Sequence, residues 1–476
     1  MTIVGSIAAV GDLLAAGLLI YGMKRMSSPV TARSGIVVAG NGMLLAVLAS
    51  FVYATSVSDV ARPHLLANVS LAIGALAVGA CWGWRSGKTV PVTGMPQMVA
   101  LYNGMGGGAA AAIAAIRLCT ERTPLPVAMF VTLASAAIGC ISFSGSMIAW
   151  AKLDGRMRKP WRVRGQQALN CCAAAATLAL ALAVVFLPGA GPNWFLVASY
   201  FVGALILGVL ITVPIGGADM PVVISLYNAF TGLAVSLGGF ALGNPALIVA
   251  GMVVGAAGCL LTLLMARAMN RSVLNILAGN FGEAADQAAQ AIKGRLKPVD
   301  ASDAGTAMRY ASSVIIVPGY GLAVAQAQGK LHELVKLLQS AGVDVKFAIH
   351  PVAGRMPGHM DVLLAEAGVP YELMHDLEEI NAEFKTADVA VVVGANDVVN
   401  PAARTDKQSP IYGMPILDVD HAHQIYVIKR GQGAGYSGIE NALFYADNCE
   451  MVYGDAKEVL AKMVEAVRSL EAQEAA

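Results

Sequence analysis

Long apolar stretches separated by short polar breaks fill the first part of the chain. A helix that crosses the hydrocarbon layer of a membrane needs roughly 20 apolar residues. Stretches of about this length lie at about residues 4–23, 35–56, 65–84, 96–117, 124–150, 167–188, 193–214, 221–242 and 245–268. Glycine and alanine are abundant in them, as close packing of helices in lipid favours. The pattern predicts an all-α membrane bundle of about nine transmembrane helices over residues 1–270.

Beyond residue 312 the apolar positions form short β-branched runs that alternate with stretches of helical periodicity. The predicted strands lie at 313–317, 343–349, 369–374, 388–394, 424–428 and 451–453, and the predicted helices include 322–340, 359–367 and 456–470. Strands that alternate with helices are typical of parallel sheets with crossover connections. We therefore expect a Rossmann-like, doubly wound α/β domain over residues 313–476, joined to the bundle by a Gly/Ala/Asp/Ser-rich linker at 271–312.

Composition and charge support this division into two parts. Hydrophobic residues make up 57% of the chain and charged residues only 13%, whereas soluble domains average about 25% charged residues. Residues 1–264 hold 14 Lys/Arg and 5 Asp/Glu, while residues 265–476 hold 18 Lys/Arg and 26 Asp/Glu. The near-zero net charge of +1 therefore hides a sparse basic part and a dense acidic part.

The basic residues of the bundle also predict its orientation. Most of them follow odd-numbered spans, and the loops after even-numbered spans carry only Arg62, Arg117 and Arg122. Because Lys and Arg concentrate in cytoplasmic loops, we expect the N-terminus outside and the α/β domain in the cytoplasm. Lys24 and Arg25 follow the first apolar run rather than precede it, so a cleavable signal is not expected.

Polar residues inside the predicted spans are candidates for function. Residues 95–103 and 220–228 share the pattern Met-Pro followed by Leu-Tyr-Asn, and Gly107 and Gly232 are also in register. Asn103 and Asn228 either hold water in a polar path or form hydrogen bonds between helices. Asp12, in the first span, is a functional candidate or an acid paired with a neighbour or close to the outer surface.

A glycine turn follows the first predicted strand of the α/β domain. Gly319 and Gly321 begin a dinucleotide fingerprint, with Val324 at the place of its third glycine. Such glycines permit a tight turn and a close approach of phosphates to the backbone at a helix N-terminus. Alone this motif is a weak signal, and its position between a strand and a helix strengthens it.

Charged residues near other strands favour NADP(H) over NAD(H). The acid that binds the ribose 2′-OH of NAD is expected at the end of the second strand, but Asp344 lies at the start of that strand. Lys429 and Arg430 instead follow the strand at 424–428, beside a loop with glycines at 431, 433 and 435. Two cations at this place suit a 2′-phosphate, and the alternative is an ordinary basic strand end.

Two further loops follow predicted strands, where ligands of open α/β sheets bind. Arg355 could pair with a pyrophosphate, and Asp397 could hydrogen-bond a ribose, a carboxamide or the neighbouring backbone; the alternative is that each stabilises its loop. No side chains in the sequence suggest a catalytic group or a metal site, and hydride transfer needs neither, because the nicotinamide cofactors carry that chemistry.

Several motifs together are distinctive enough to indicate a family. They are residues 318–328 (PGYGLAVAQAQ), 350–359 (HPVAGRMPGH), 394–401 (GANDVVNP), 216–221 (GGADMP) and 454–457 (GDAK). With them the chain resembles, over nearly its whole length, the β subunit of the proton-translocating nicotinamide nucleotide transhydrogenases.

The resemblance implies hydride transfer between NAD(H) and NADP(H), Re/Si-specific and coupled to proton movement across the bacterial inner membrane. NADP(H) would bind this chain, and NAD(H) would bind an α subunit that also supplies further spans, in a membrane-embedded dimer of such assemblies surrounded by lipid. The implied cofactor-binding residues are Tyr320, Val352, Ala353, Gly354, Arg355, Met356, Pro357, Gly394, Ala395, Asn396, Asp397, Val398, Gly413, Met414, Lys429, Arg430, Gly431, Gln432, Gly433, Ala434, Gly435, Tyr436, Asp455 and Ala456.

Three expectations qualify this resemblance. The dinucleotide lies in the family in the opposite sense to the usual Rossmann fold, so Gly319 and Gly321 need not cradle its pyrophosphate. Some members carry a histidine at the position of Asn103, whereas an asparagine cannot titrate. Asp219 at the cytoplasmic mouth is the local candidate for coupling proton state to cofactor binding. The alternative function is a membrane transporter or channel regulated by a cytoplasmic NADP(H)-sensing domain.

Overall fold

The structure is a computed structural model. It describes all residues except 1–2, 57–63, 121–125, 158–160, 162, 188–192, 217–218, 271, 274–294, 357, 410, 432–434, 436 and 475–476. The chain divides into two compact units. The first comprises Met1–Met157, Trp161–Pro214 and Ile224–Leu260, and the second comprises Arg158–Pro160, Ile215–Val223 and Leu261–Ala476.

Long apolar helices account for the first part of the chain. They are α1 (Ile3–Met26), α2 (Pro29–Ser56), α3 (Leu65–Thr89), α4 (Met95–Thr120), α5 (Pro126–Leu153), α6 (Gln166–Phe186), α7 (Trp194–Thr212), α8 (Met220–Leu242) and α9 (Pro245–Ala268). Within the described residues, all 9 are long and apolar enough to cross a membrane. The prediction of a membrane bundle is confirmed.

Glycines let several of these helices touch backbone to backbone. A Cβ on Gly22 of α1 would lie 2.7 Å from the backbone nitrogen of Ala39 in α2, and one on Gly107 of α4 would lie 2.9 Å from the carbonyl oxygen of Gly139 in α5. Burial nevertheless differs strongly among the helices. In α8, 67% of the residues in the most apolar 18-residue window are buried, whereas in the corresponding window of α3 no residue is buried. Backbone contacts at glycines thus join α1 to α2 and α4 to α5, and α8 is the most buried of these helices in the described part of the chain.

The second unit contains a parallel sheet. Its strands are β1 (Ser313–Pro318), β2 (Asp344–Ile349), β3 (Met374–Asp376), β4 (Val389–Val393), β5 (Gln424–Lys429) and β6 (Cys449–Tyr453). They are ordered β3-β2-β1-β4-β5-β6, and every neighbouring pair is parallel. β4 is buried at all five positions, as a strand covered on both faces requires. This is the strand order of a doubly wound dinucleotide-binding fold, and the predicted fold class is confirmed.

Seven helices accompany the sheet in the described part of this unit. They are α10 (Ala301–Arg309), α11 (Tyr320–Val324), α12 (Gln328–Ser340), α13 (His359–Glu366), α14 (Leu377–Ile380), α15 (Ala402–Thr405) and α16 (Ala456–Glu474). The predicted linker therefore contains a helix, α10, and residues 274–294 of it lie outside the described residues.

Two predicted elements differ from the structure. The helix predicted at 322–340 is divided into α11 and α12, because Gln326 between them has a left-handed backbone (φ 49°). The strand predicted at 369–374 begins only at Met374, because Pro370 leads into a 3₁₀ turn at Tyr371–Leu373.

Candidate functional site

The carboxyl edge of the parallel sheet brings together most of the predicted cofactor-binding residues. Since all the strands run in the same direction, their C-terminal ends meet at one edge. Residues 319–321 follow β1, 352–356 follow β2, 394–398 follow β4, 430–431 follow β5 and 455–456 follow β6. The topological switch point, where ligands of such sheets bind, lies between β1 and β4.

The glycines of the β1 turn contact the β4 loop. The backbone N–H of Gly319 donates to the carbonyl of Val393 (2.9 Å), and that of Gly321 donates to the carbonyl of Gly394 (2.9 Å). A Cβ on Gly321 would lie 2.6 Å from the Cα of Gly394. These glycines therefore serve the contact between two loops, and their N–H groups are already engaged within the protein.

The helix after this turn is also unlike that of the usual fingerprint. It spans only five residues, Tyr320–Val324, so few aligned peptide dipoles stand behind its N-terminus. Val324, predicted at the place of the third glycine, is 44% exposed. The short helix and the exposed Val324 thus distinguish this turn from the usual form of the fingerprint.

Asp397 in the β4 loop anchors the loop that follows β5. Its carboxylate accepts hydrogen bonds from the backbone N–H (3.0 Å) and the hydroxyl (2.6 Å) of Ser437. Next to it, Asn396 accepts two hydrogen bonds from the side chain of Asn441, at its carbonyl oxygen (2.9 Å) and its Oδ1 (3.1 Å). Of the partners predicted for Asp397, the structure thus shows a hydrogen bond with neighbouring backbone, that of Ser437.

Lys429 and Arg430 have separate partners. The Nζ of Lys429 lies 4.6 Å from the centroid of the Phe444 ring, and burial lowers the pKa of this lysine. Arg430 is 61% exposed and forms an ion pair of 2.8 Å with Asp455 at the end of β6. An anionic ligand group would offset the hydration that Lys429 has lost, and the guanidinium of Arg430 has enough donors for a phosphate beside Asp455.

Arg355 in the loop after β2 lies against Tyr320 in the turn after β1. This contact joins the two loops. The Arg355 guanidinium carbon is 4.4 Å from the centroid of the Tyr320 ring. In the same loop, His350 is 1% exposed and lies 2.8 Å from the carbonyl oxygen of Pro415 through its Nε2. Burial lowers the pKa of His350 to about 4, so it is neutral at physiological pH.

Most of the remaining predicted cofactor residues fall into three groups. Val352, Ala395 and Val398 contribute side chains to the main core of the sheet, and Ala353 and Ala456 are buried as well. Met414 packs into a separate small cluster beside Gly413, whose φ is +78°. Pro357, Gln432, Gly433, Ala434 and Tyr436 lie outside the described residues.

The polar candidates of the bundle have different surroundings. The side chain of Asn103 in α4 donates to the carbonyl of Ile224 in α8 (3.4 Å). The Thr231 hydroxyl lies 3.1 Å from the carbonyl oxygen of Asn103 and 2.6 Å from the hydroxyl of Ser142 in α5. Asn103 thus makes the interhelical hydrogen bond that its alternative role requires.

The two candidate acids of this part, Asp219 and Asp12, differ in exposure. Asp219, one residue before α8, is 5% exposed, and its negative charge is favoured by the helix N-terminus. Asp12 of α1 is half-buried, and its Oδ1 has no hydrogen-bond partner among the described residues.

Comparisons with known proteins agree with this architecture. A family model described as NAD(P) transhydrogenase beta subunit matches residues 8–466. The chain belongs to this family. It is 43% identical over 479 residues to the NAD(P) transhydrogenase subunit beta of Rhodospirillum rubrum, covering 97% of this chain and 99% of the relative, and the same values hold for that subunit from a named strain of the species.

Family membership confirms several predictions. The chain is a multi-pass membrane protein and a subunit of an NAD(P) transhydrogenase, so it is part of an enzyme. The designation beta subunit implies a complex with an alpha subunit. The alternative of a regulated transporter or channel is not favoured.

Some residues of the site were missed in the sequence. Ser437 hydrogen-bonds Asp397, and Asn441 hydrogen-bonds Asn396. The ring of Phe444 contacts Lys429, and His359 lies beside Arg355 and Tyr320. These residues lie up to 45 positions from their partners, and no spacing rule in the sequence connects them. Only His359 lay within a segment that carried the resemblance.

Proposed function

We propose that this chain binds NADP(H) at the carboxyl edge of its sheet and exchanges hydride with NAD(H) held by an α subunit. The observation that carries the proposal is the position of Lys429 and Arg430 at the end of β5, next to the switch point of a doubly wound sheet. Two cations at such an edge distinguish a 2′-phosphorylated ribose from a plain one.

The residues at this edge fit the cofactor they would hold. Lys429 and Arg430 would contact the 2′-phosphate, and Arg355, stacked on Tyr320, would face the pyrophosphate. Asp397 would keep the loop after β5 in place through Ser437. Bound NADP(H) would supply the hydride chemistry itself, so the protein has to bind, orient and exclude water.

The described residues form one parallel sheet of the dinucleotide-binding type, which supports placing the NAD(H) site on the partner subunit. The proposal includes Re/Si-specific transfer, a dimer of αβ assemblies and a bacterial inner-membrane location with the N-terminus outside. Proton movement would pass through the bundle near Asn103 and Asn228. Asp219 would link it to NADP(H) binding, and Asp12 is a further candidate for the path.

Cofactor preference in the full chain, purified in detergent, tests the proposal. The wild type should bind NADPH far more tightly than NADH. Lys429→Ala combined with Arg430→Ala should weaken NADPH binding about 100-fold, because two charge-assisted hydrogen bonds are lost. NADH binding should change little. Isothermal titration with each nucleotide measures both affinities.

A matched double variant controls for lost positive charge. Lys336 and Lys385 are exposed in the same unit, on α12 and before the amino end of β4. Lys336→Ala with Lys385→Ala should leave both affinities unchanged. An unaltered preference for NADPH in the Lys429 and Arg430 variant would overturn the assignment of the phosphate site.

A further inference from the structure

The loop after β2 is built around the side chain of His359. This residue begins α13 and is fully buried. Its Nδ1 accepts a hydrogen bond from the backbone N–H of Arg355 (3.1 Å). Gly354 has φ +109°, and a Cβ there would lie 2.5 Å from the same Nδ1. The imidazole therefore sets the path of the backbone at Arg355.

The same ring also contacts Tyr320 from the β1 turn. The centroids of the two rings are 6.2 Å apart. The guanidinium carbon of Arg355 lies 4.4 Å from the centroid of the Tyr320 ring. The His359 ring is thus tilted against the Tyr320 ring, and the Arg355 guanidinium lies over the Tyr320 ring. The orientation of Arg355 depends on both its backbone and the ring beneath its guanidinium.

His359 is neutral, with its proton on Nε2. Burial, together with the Arg355 guanidinium, lowers the pKa of His359. Since Nδ1 accepts a hydrogen bond, the hydrogen of the neutral ring resides on Nε2. Nε2 is buried and has no partner among the described residues, a cost to folding. A phenyl ring would avoid this cost, so the feature that an imidazole adds here is the acceptor at Nδ1.

We infer that His359 is a positioning residue of the cofactor site: its Nδ1 holds the Arg355 backbone and its ring holds Tyr320, so that Arg355 is oriented for an anionic group of the dinucleotide. The inference rests on the proposed NADP(H) site. It assigns His359 no contact with the cofactor and no proton transfer.

Two substitutions separate the acceptor from the ring. His359→Phe keeps an aromatic ring against Tyr320 and removes Nδ1. His359→Asn keeps an acceptor, because Asn Oδ1 and His Nδ1 are both bonded to Cγ. In the full chain we expect His359→Phe to weaken NADPH binding about tenfold, the size of effect of one orienting hydrogen bond. The melting temperature of the cofactor-free protein should change little, because removing the unpaired Nε2–H offsets the loss of the acceptor for the Arg355 N–H. His359→Asn should bind within about threefold of the wild type.

His332 provides a control of the opposite kind. It is buried in α12, with Nδ1 2.7 Å from the carbonyl oxygen of Ala367, so His332→Phe should lower the melting temperature and leave NADPH affinity unchanged. Wild-type affinity in His359→Phe, or equal losses in His359→Phe and His359→Asn, would overturn the inference alone. A wild type that binds no NADPH would overturn the proposed function, and this inference with it.

Discussion

Helices α4 and α8 begin with the same sequence pattern and end up in different surroundings. Each starts at the methionine of the repeat, has proline second and asparagine ninth, and carries glycine at the thirteenth position. Yet 67% of the apolar window of α8 is buried, against 33% in α4. Tyr227 of α8 is fully buried and hydrogen-bonds Thr212 of α7, whereas Tyr102 of α4 is half-buried and bonds Ser86 of α3.

The difference in burial between α4 and α8 shows that the repeated sequence determines where each helix begins, whereas the neighbouring helices determine its side-chain contacts. Proline in the first turn fixes where each helix starts, because its missing N–H and its φ suit that position. The contacts of the following side chains depend on which helices lie beside them, and of the two helices α8 has the larger share of its apolar window buried within the described residues. The equivalent asparagines also differ: Asn103 bonds the backbone of Ile224, while the side chain of Asn228 makes no hydrogen bond with the described residues.

The largest effect is expected at the glycine of the α8 repeat. A Cβ on Gly232 would lie 2.6 Å from the Cα of Gly255 in α9, so the two helices would have to separate. Gly232→Val should lower the free energy of unfolding by about 3 kcal/mol. Denaturant titration of the detergent-solubilised chain measures the loss.

A glycine of α3 is the control for that change. No atom lies within 4 Å of a Cβ built on Gly79, so Gly79→Val should change the free energy of unfolding by less than about 0.5 kcal/mol. Equal losses in both variants would mean that valine disturbs any helix of this protein and that the α8–α9 contact is not the cause.

A smaller effect should distinguish the two tyrosines. Tyr227→Phe removes a buried hydroxyl 2.5 Å from Thr212 Oγ1 and should cost about 1 kcal/mol of unfolding free energy. Tyr102→Phe removes a hydroxyl at a half-buried position and should cost about 0.5 kcal/mol. The same titration compares them, and a larger loss for Tyr102→Phe would contradict the burial difference between α4 and α8.

The two asparagines should affect stability less than Tyr227 does. Asn103→Leu should lower the free energy of unfolding by about 0.6 kcal/mol, typical of a hydrogen bond between membrane helices. Asn228→Leu should leave it unchanged. If the pair holds a water path, the double variant should lose proton-coupled turnover in the assembled enzyme, measured in vesicles with a pH-sensitive dye.

Asn68→Leu, on the exposed surface of α3, is the control for that experiment and should retain coupling. Normal proton-driven turnover in the Asn103 and Asn228 double variant would leave these residues only a packing role.

Much of the fold was predictable because strong periodic signals determine it. The stretch predicted at 245–268 coincides with α9 (Pro245–Ala268), since a membrane span is marked by its apolar length. The break between α11 and α12 was not predictable. Gln326 adopts its left-handed backbone without a neighbouring glycine or proline, and helical periodicity continues across it.

For the candidate site, the sheet edge that carries its residues was predictable, and their contacts were less so. Loops that follow parallel strands must share an edge, which placed Lys429, Arg355 and Asp397 together before any coordinates. The hydrogen bond from Ser437 to Asp397 and the one from Arg355 to His359 arise from tertiary packing. Side chains such as Ser437 carry no signal in the sequence that would assign them to a site.

The contact among Gly319, Gly321 and Gly394 bears on how this enzyme can be redesigned. A search for dinucleotide motifs would count the first two as phosphate ligands and invite changes there to alter cofactor choice. Their atoms instead join the loop after β1 to the loop after β4. An engineer seeking a different cofactor should leave this turn intact and vary Lys429 and Arg430, the cations that we propose contact the 2′-phosphate.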